Sequence, residues 1–228
     1  MKIGLYGGSF NPVHNGHLAV ARTALAELAL DRLLVVPAAV SPFKAEVAAG
    51  LPVCDRLLLL HLVFDGMERV TVDEREIARG GVSYAIDTVE ELVRENPGAE
   101  LTFVVGEDSV AGLPQWKDYA RLRELCAFKV FPRSRESSTE VRARLARGES
   151  VDDLVPPSVA LFLRHRVRLN PNAKVAEVVR QGLLRKGGYC PCRLVRTEEF
   201  RCPCAEFRSQ LEDPGYHGPC HCRLYVKP

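Results

Sequence analysis

Through residue 168, short apolar runs alternate with segments whose apolar residues recur every three or four positions. The runs at 2–6, 33–37, 70–73, 101–105 and 127–131 are rich in Val, Leu, Ile and Phe and lack the polar alternation of half-exposed strands. That is the pattern of strands buried on both faces. Between them, Leu18, Ala21, Leu25 and Leu28 fall at helical spacing, as do Ala85, Val89, Leu92 and Val93, with charges on the opposite faces. Strand and helix in strict alternation predict an α/β fold with a doubly wound parallel sheet, whose ligands bind beyond the carboxyl ends of the strands.

The alternation stops at Asn170, Pro171 and Asn172. Positions 173–186 then read as one helix that Gly187 and Gly188 terminate. We therefore divide the chain into a domain over 1–168, a linker over 169–172 and a smaller domain over 173–228. The apolar runs at 33–40 and 57–64 fall far short of the ~20 residues of a bilayer span. The first residues, MKIGLYGGSF, lack the basic stretch, apolar core and cleavage site of a signal peptide. The expectation is a cytoplasmic protein with no membrane association.

Charge adds little for the whole chain, at +2, and gives no reason to expect nucleic acid. Residues 169–228 carry ten Lys or Arg against six Asp or Glu, so a basic tail joins a slightly acidic body. Cysteine adds more: six of the eight lie in the last 39 residues, in three Cys-x-Cys pairs. In a reducing compartment such clustering points to metal or redox chemistry.

The first candidate site is IGLYGGSFNPVHNGHL, a strand, a glycine turn, two histidines three apart and a helix start. Gly7 and Gly8, followed by Ser9 and Phe10, would let backbone N–H groups approach a phosphate chain, and the helix N-terminus adds a favourable dipole. His14 and His17 would face the same anion; the alternative is a tight turn with His17 as a surface residue. A second phosphate-type site is Ser137, Ser138, Thr139 and Arg142. Ser137 with Glu140 also fits a capping box, so taken alone this stretch reads first as a well-capped helix with an exposed arginine.

GGSFNPVHNGHL resembles the signature of the HxGH nucleotidyltransferases, and SSTEVR resembles their second motif. GGVSYAIDTVEEL and VVGEDSVAGLPQW are similar to segments of bacterial nicotinate-mononucleotide adenylyltransferases, and the resemblance spans nearly all of residues 1–168. It implies a Rossmann-like domain that joins the phosphate of nicotinate mononucleotide to the α-phosphorus of ATP, taken with Mg2+, and releases pyrophosphate. His14 and His17 would hold the transferred and leaving phosphates. Arg142 with Ser137, Ser138 and Thr139 would receive pyrophosphate, and Lys44 could assist. Gly106 and Asp108 match a Gly-x-Asp at a strand end that binds ribose. Tyr84 and Thr88 belong to the SYAIDT segment near the nicotinate, and Trp116 matches an aromatic that stacks on its ring; a sole tryptophan is otherwise core filler. Two departures stand out. Ala85 replaces the family's usual threonine, and only Ser134, Arg135 and Glu136 separate Arg133 from Ser137, where family members place a further helix and strand.

Three Cys-x-Cys pairs (CPC at 190–192, CPC at 202–204, CHC at 220–222) supply more thiols than the four that complete a zinc or iron–sulfur site. Zinc ribbons favour Cys-x2-Cys, which makes zinc the runner-up. CPC, CPC, CHC resembles the catalytic subunit of ferredoxin-thioredoxin reductase. That resemblance implies a small α+β domain with a 4Fe-4S cluster on Cys190, Cys202, Cys204 and Cys220, a redox disulfide between Cys192 and Cys222, and His221 supplying protons. The gaps between pairs here, nine and fifteen residues, are distributed differently from the plant type while their total agrees. The implied partners are a ferredoxin, rubredoxin or flavoprotein donor and a thioredoxin-like acceptor.

The expectation is therefore a bifunctional enzyme of NAD biosynthesis with a disulfide reductase module. The alternatives are a redox protein whose first domain binds nucleotide without transferring it, and a transferase acting on nicotinamide mononucleotide or phosphopantetheine.

Overall fold

In the computed structural model, which describes residues 1–43 and 50–228, the five expected strands form one parallel sheet. They are β1 (Lys2–Gly8), β2 (Arg32–Pro37), β3 (Val70–Val72), β4 (Glu100–Gly106) and β5 (Ala127–Phe131), in the order β3-β2-β1-β4-β5. The order reverses at β1, so the first two crossovers run to one side and the later ones to the other. A crevice results between the carboxyl ends of β1 and β4, the place where open α/β sheets bind ligands.

Both faces of the sheet are covered. Leu33, Val35, Tyr6 and Val104 contribute to one core cluster. Their alternating neighbours Leu34, Val36, Leu5 and Phe103 contribute to the other. The helices are α1 (Asn15–Glu27), α2 (Val53–Phe64), α3 (Arg75–Arg79) and α4 (Ala85–Glu95), then α5 (Tyr119–Leu125), α6 (Ser138–Arg147) and α7 (Pro157–Arg164). A 3-10 segment, Glu107–Gln115, follows β4. Ser137 caps α6 as the sequence suggested, its hydroxyl accepting from the Glu140 N–H at 3.1 Å.

The C-terminal module holds β6 (Arg168–Leu169), α8 (Ala173–Arg185), α9 (Ala205–Glu212), β7 (Gly218–Pro219) and β8 (Tyr225–Lys227). Its small antiparallel sheet runs β6-β8-β7. Leu169, expected to open a linker, lies in β6 and pairs with Tyr225. The larger core cluster runs without interruption from Phe64 and Phe162 to Phe207 and Tyr225. Phe162 stands edge-on to Tyr225 at 4.8 Å. No helix among the described residues is long and apolar enough to cross a membrane.

Candidate active site

Beyond Gly8, the chain turns sharply through Phe10, whose φ of 44° is left-handed, and enters α1 at His14. The His14 N–H donates to His17 Nδ1 at 3.1 Å, and the two imidazoles lie 3.7 Å apart, centroid to centroid, with planes 33° apart. Phe10 packs on the His17 ring at 4.8 Å. His14 is nearly buried, and that burial, opposed by the carboxylates of Glu136 and Asp108, lowers its pKa to about 4. At neutral pH it is therefore an uncharged imidazole whose Nδ1 has no hydrogen-bond partner among the described residues.

Gly16, between the two histidines, is required by space. A Cβ there would stand 2.0 Å from Ser134 Oγ, because the short connection from β5 to α6 crosses directly over the start of α1. That connection brings the second motif to the first. Ser138 Oγ donates to the Pro12 carbonyl at 2.9 Å, and Arg142 Nη1 donates to the Asn11 carbonyl at 2.6 Å. Arg142 Nη2 also reaches Thr139 Oγ1 at 3.3 Å. Two helix N-termini, α1 and α6, thus flank one loop, and their partial positive charges suit a polyphosphate.

At the end of β4, a Cβ on Gly106 would meet Asp108 Oδ1 at 2.7 Å, so glycine allows the Asp108 carboxylate to fold back over the strand end. From there its charge acts on both His14 and Tyr6. A Cβ on Gly7 would meet the Phe103 ring at 3.1 Å, a tight contact. On the neighbouring side, half-buried Trp116 packs edge-on against Phe103 at 5.3 Å. Lys117 Nζ lies 4.6 Å above the Tyr84 ring. Thr88 is buried, and its hydroxyl donates to Glu76 Oε1 at 2.7 Å. Lys44 lies outside the described residues.

Sequence reasoning missed Arg56 and Ser83. Arg56 is buried near the start of α2 and donates to the carbonyls of Ser9 and Ala38 at 2.7 and 2.9 Å. Ser83 Oγ accepts from the Ala39 N–H at 2.9 Å. A lone arginine opening the apolar run RLLLLHLVF was the available signal, since a cation there must either snorkel out or find buried acceptors.

In the C-terminal module all six cysteines are free. Cys190, Cys204, Cys220 and Cys222 are buried, Cys202 is half-buried and Cys192 is exposed, as is His221. Cys222 Sγ lies 3.6 Å from Cys220 Sγ. Hydrogen bonding from Cys222 lowers the Cys190 and Cys220 thiols below the usual range, while Cys222 itself is raised. Burial raises Cys202 and Cys204. Cys222 therefore lies against Cys190 and Cys220. Among the described residues no group of three or more His, Cys, Asp or Glu side chains is arranged to hold a metal ion.

Two cavities, of about 210 and 450 Å³, lie along the seam between the modules, and neither is lined by His14 or His17. Both are lined by His61, whose Nδ1 and Nε2 face Asp65 and Glu74 at 2.8 and 2.9 Å. Arg180 of α8 reaches Glu74 at 2.7 Å. At the other end of α2, Asp55 pairs with Arg168 of β6.

A family model described as Cytidylyltransferase-like matches residues 5–167. The chain is 37% identical over 191 residues to a protein named "Probable nicotinate-nucleotide adenylyltransferase" from Gemmatimonas aurantiaca, covering 72% of this chain and 90% of that one. It is 35% identical over 199 residues to a protein of the same name from Synechococcus sp. (strain JA-3-3Ab), covering 75% and 96%. Among solved structures, Plasmodium falciparum nicotinic acid mononucleotide adenylyltransferase complexed with NaAD superposes with a TM-score of 0.58 at 14% identity, covering 71% of this chain and 94% of that one. At that identity the likeness concerns the fold.

Proposed function

Because this chain belongs to the nicotinate-nucleotide adenylyltransferases of the cytidylyltransferase-like family, we propose that it transfers the adenylyl group of ATP to nicotinate mononucleotide, a step of NAD biosynthesis. The observation that carries this reading is the docking of α6 onto the glycine turn through Ser138 and Arg142. It places two helix N-termini, two imidazoles and a guanidinium around one loop, with Asp108 alongside.

In the reaction, a phosphate oxygen of the mononucleotide attacks the α-phosphorus of ATP, bound as its magnesium complex. The new P–O bond forms as the bond to the β-phosphate oxygen breaks, and pyrophosphate departs with the electron pair. Such transfers rely on positioning and charge stabilisation rather than on a covalent enzyme intermediate. Neutral His14 offers an N–H donor without a hydration shell to shed, and the tilted His17 ring lies against it. Arg142, Ser137, Ser138 and Thr139 receive the pyrophosphate. Asp108 accepts from a ribose hydroxyl, and Trp116 with Tyr84 flanks the pyridine ring. Thr88 acts through Glu76, which places the loop that carries Ser83.

The test is pyrophosphate release from magnesium ATP with nicotinate mononucleotide, nicotinamide mononucleotide or phosphopantetheine as acceptor. Turnover should favour the nicotinate compound and fall about 100-fold or more in His17→Ala. Preference for another acceptor reassigns the substrate. No release with any acceptor makes the first domain a nucleotide-binding scaffold.

For residues 173–228, whose six thiols share one small module, the reading is the iron–sulfur disulfide reductase that the Cys-x-Cys pattern resembles. The donor set is the soft, thiolate-only kind that clusters require, and Cys190, Cys202, Cys204 and Cys220 would be the holding residues, although among the described residues they are not arranged as a metal-holding group. When bound, a 4Fe-4S cluster would supply single electrons. Cys192 and Cys222 would form the redox pair, His221 would deliver protons, and the basic surface suits an acidic donor. Protein purified without oxygen should contain iron and sulfide near four per chain. Stoichiometric zinc without iron overturns this reading.

A further inference from the structure

We propose that Arg56 is a positioning residue for adenylyl transfer, holding the glycine turn after β1 against the segment that leaves β2. The inference rests on the transferase reading and extends it to a residue outside both motifs.

The guanidinium lies at the carboxyl end of the sheet with its donors spread over two chain segments. Nη1 donates to Ser9 O at 2.7 Å and to Ala38 O at 2.9 Å, and Nη2 to Ala39 O at 3.4 Å. The same segments are joined by the Ala38 N–H on Gly8 O at 2.9 Å, and Ala39 is anchored on its other side by Ser83. A planar fork is suited to this task, because it holds several carbonyls at fixed angles where an ammonium would hold one or two loosely.

Carbonyl orientation is what matters to the site. In a trans peptide the C=O and the following N–H point to opposite sides. Drawing the Ser9 carbonyl towards Arg56 therefore turns the Phe10 N–H away from it. That peptide opens the left-handed turn over which His14, His17 and α6 converge. Without the fork, the Ser9 carbonyl is released to rotate, and its oxygen would compete with the N–H for the space facing an anion.

The charge has a second consequence. Among the described residues no carboxylate forms an ion pair with Arg56, and its neighbour Asp55 is engaged by Arg168. A buried cation balanced only by carbonyl dipoles leaves net positive potential behind the phosphate-binding turn, where low dielectric enlarges its reach. Its effect is greatest on the species with most negative charge, which is the departing pyrophosphate.

The experiment compares the full-length protein with Arg56→Lys and Arg56→Met, each first checked for a native circular dichroism spectrum. Pyrophosphate release yields kcat and KM, and calorimetric titration with inorganic pyrophosphate yields an affinity. Arg56→Met should lower kcat about 100-fold while KM for the mononucleotide stays within about threefold, since misplacement of a reacting group by about 1 Å costs that much. Arg56→Lys should recover about tenfold, by restoring charge without the fork, and pyrophosphate affinity should follow the same order. Folded variants with kcat and pyrophosphate affinity within about twofold of wild type overturn the proposal. If Arg56→Met does not fold, Arg56→Lys decides alone: kcat at or near wild type overturns it. If wild type itself releases no pyrophosphate, the transferase reading fails instead, and Arg56 is judged on pyrophosphate affinity, where equal binding overturns its role.

Discussion

Residues 2–131 build their core from strands buried on both faces, whereas the C-terminal module has strands of two or three residues and borrows side chains from its larger neighbour. A piece of some 60 residues buries only about 60% of the surface its unfolded chain exposes. This one makes up the shortfall by seating Tyr225 and Phe207 against Phe162 of α7, and by tying Arg168 to Asp55 in the first turn of α2 and Arg180 to Glu74, just before α3. The larger module places its candidate site at the mouth of a crevice. The smaller one buries four of its six cysteines. The lesson is that a module too small for its own core can still hold a cluster of thiols if a neighbour supplies the apolar wall.

That contrast is most easily broken at Phe162. The side chain is fully buried, and Phe162→Ala should cost about 3–5 kcal/mol. Because the core is continuous, calorimetry should show one cooperative transition that moves as a whole. Two transitions, of which only one shifts, would make the modules independent.

A smaller effect should come from pH. Burial works against protonation of His61, but its hydrogen bonds to Asp65 and Glu74 outweigh that and raise its pKa above the ordinary value. Its contribution is therefore complete below the unfolded histidine value of about 6.5 and is lost as pH rises through the higher folded value. Glu74, lowered chiefly by its bond to His61, loses its contribution as pH falls below the ordinary carboxylate range. Stability from this seam should thus be greatest between about pH 4.5 and 6.5. Urea titrations at pH 6 and pH 9 should show the decline, and Arg180→Met, expected to cost about 1 kcal/mol, should alter the profile. An identical profile in His61→Gln would assign the decline elsewhere.

Much of the larger module was legible in advance. Strands expected at 33–37 and 127–131 appear within a residue of those bounds, because runs of branched and aromatic side chains have few other ways to be buried. The Ser137 cap was legible for the same local reason. The candidate site was legible as two motifs, and the docking of Ser138 and Arg142 on the glycine turn joins them. Less legible were α2, whose apolar run is interrupted by His61, and β6, a two-residue strand whose partner lies near the end of the chain. Nothing in a two-residue run distinguishes a strand from a linker.

The residue order thus specified what depends on near neighbours: strand and helix periods, the glycine turn, the capped helix and the paired cysteines. Those features follow from backbone sterics and from side chains three or four positions apart. What folding in three dimensions added depends on where long crossovers return. Arg142 meets Asn11 across 131 positions, Arg56 meets Ser9 across 47, and Tyr225 finds Phe162 across the seam. Such pairings are chosen by the closing of the sheet and by the need of each buried donor for an acceptor. Neither condition can be read until the whole chain is packed.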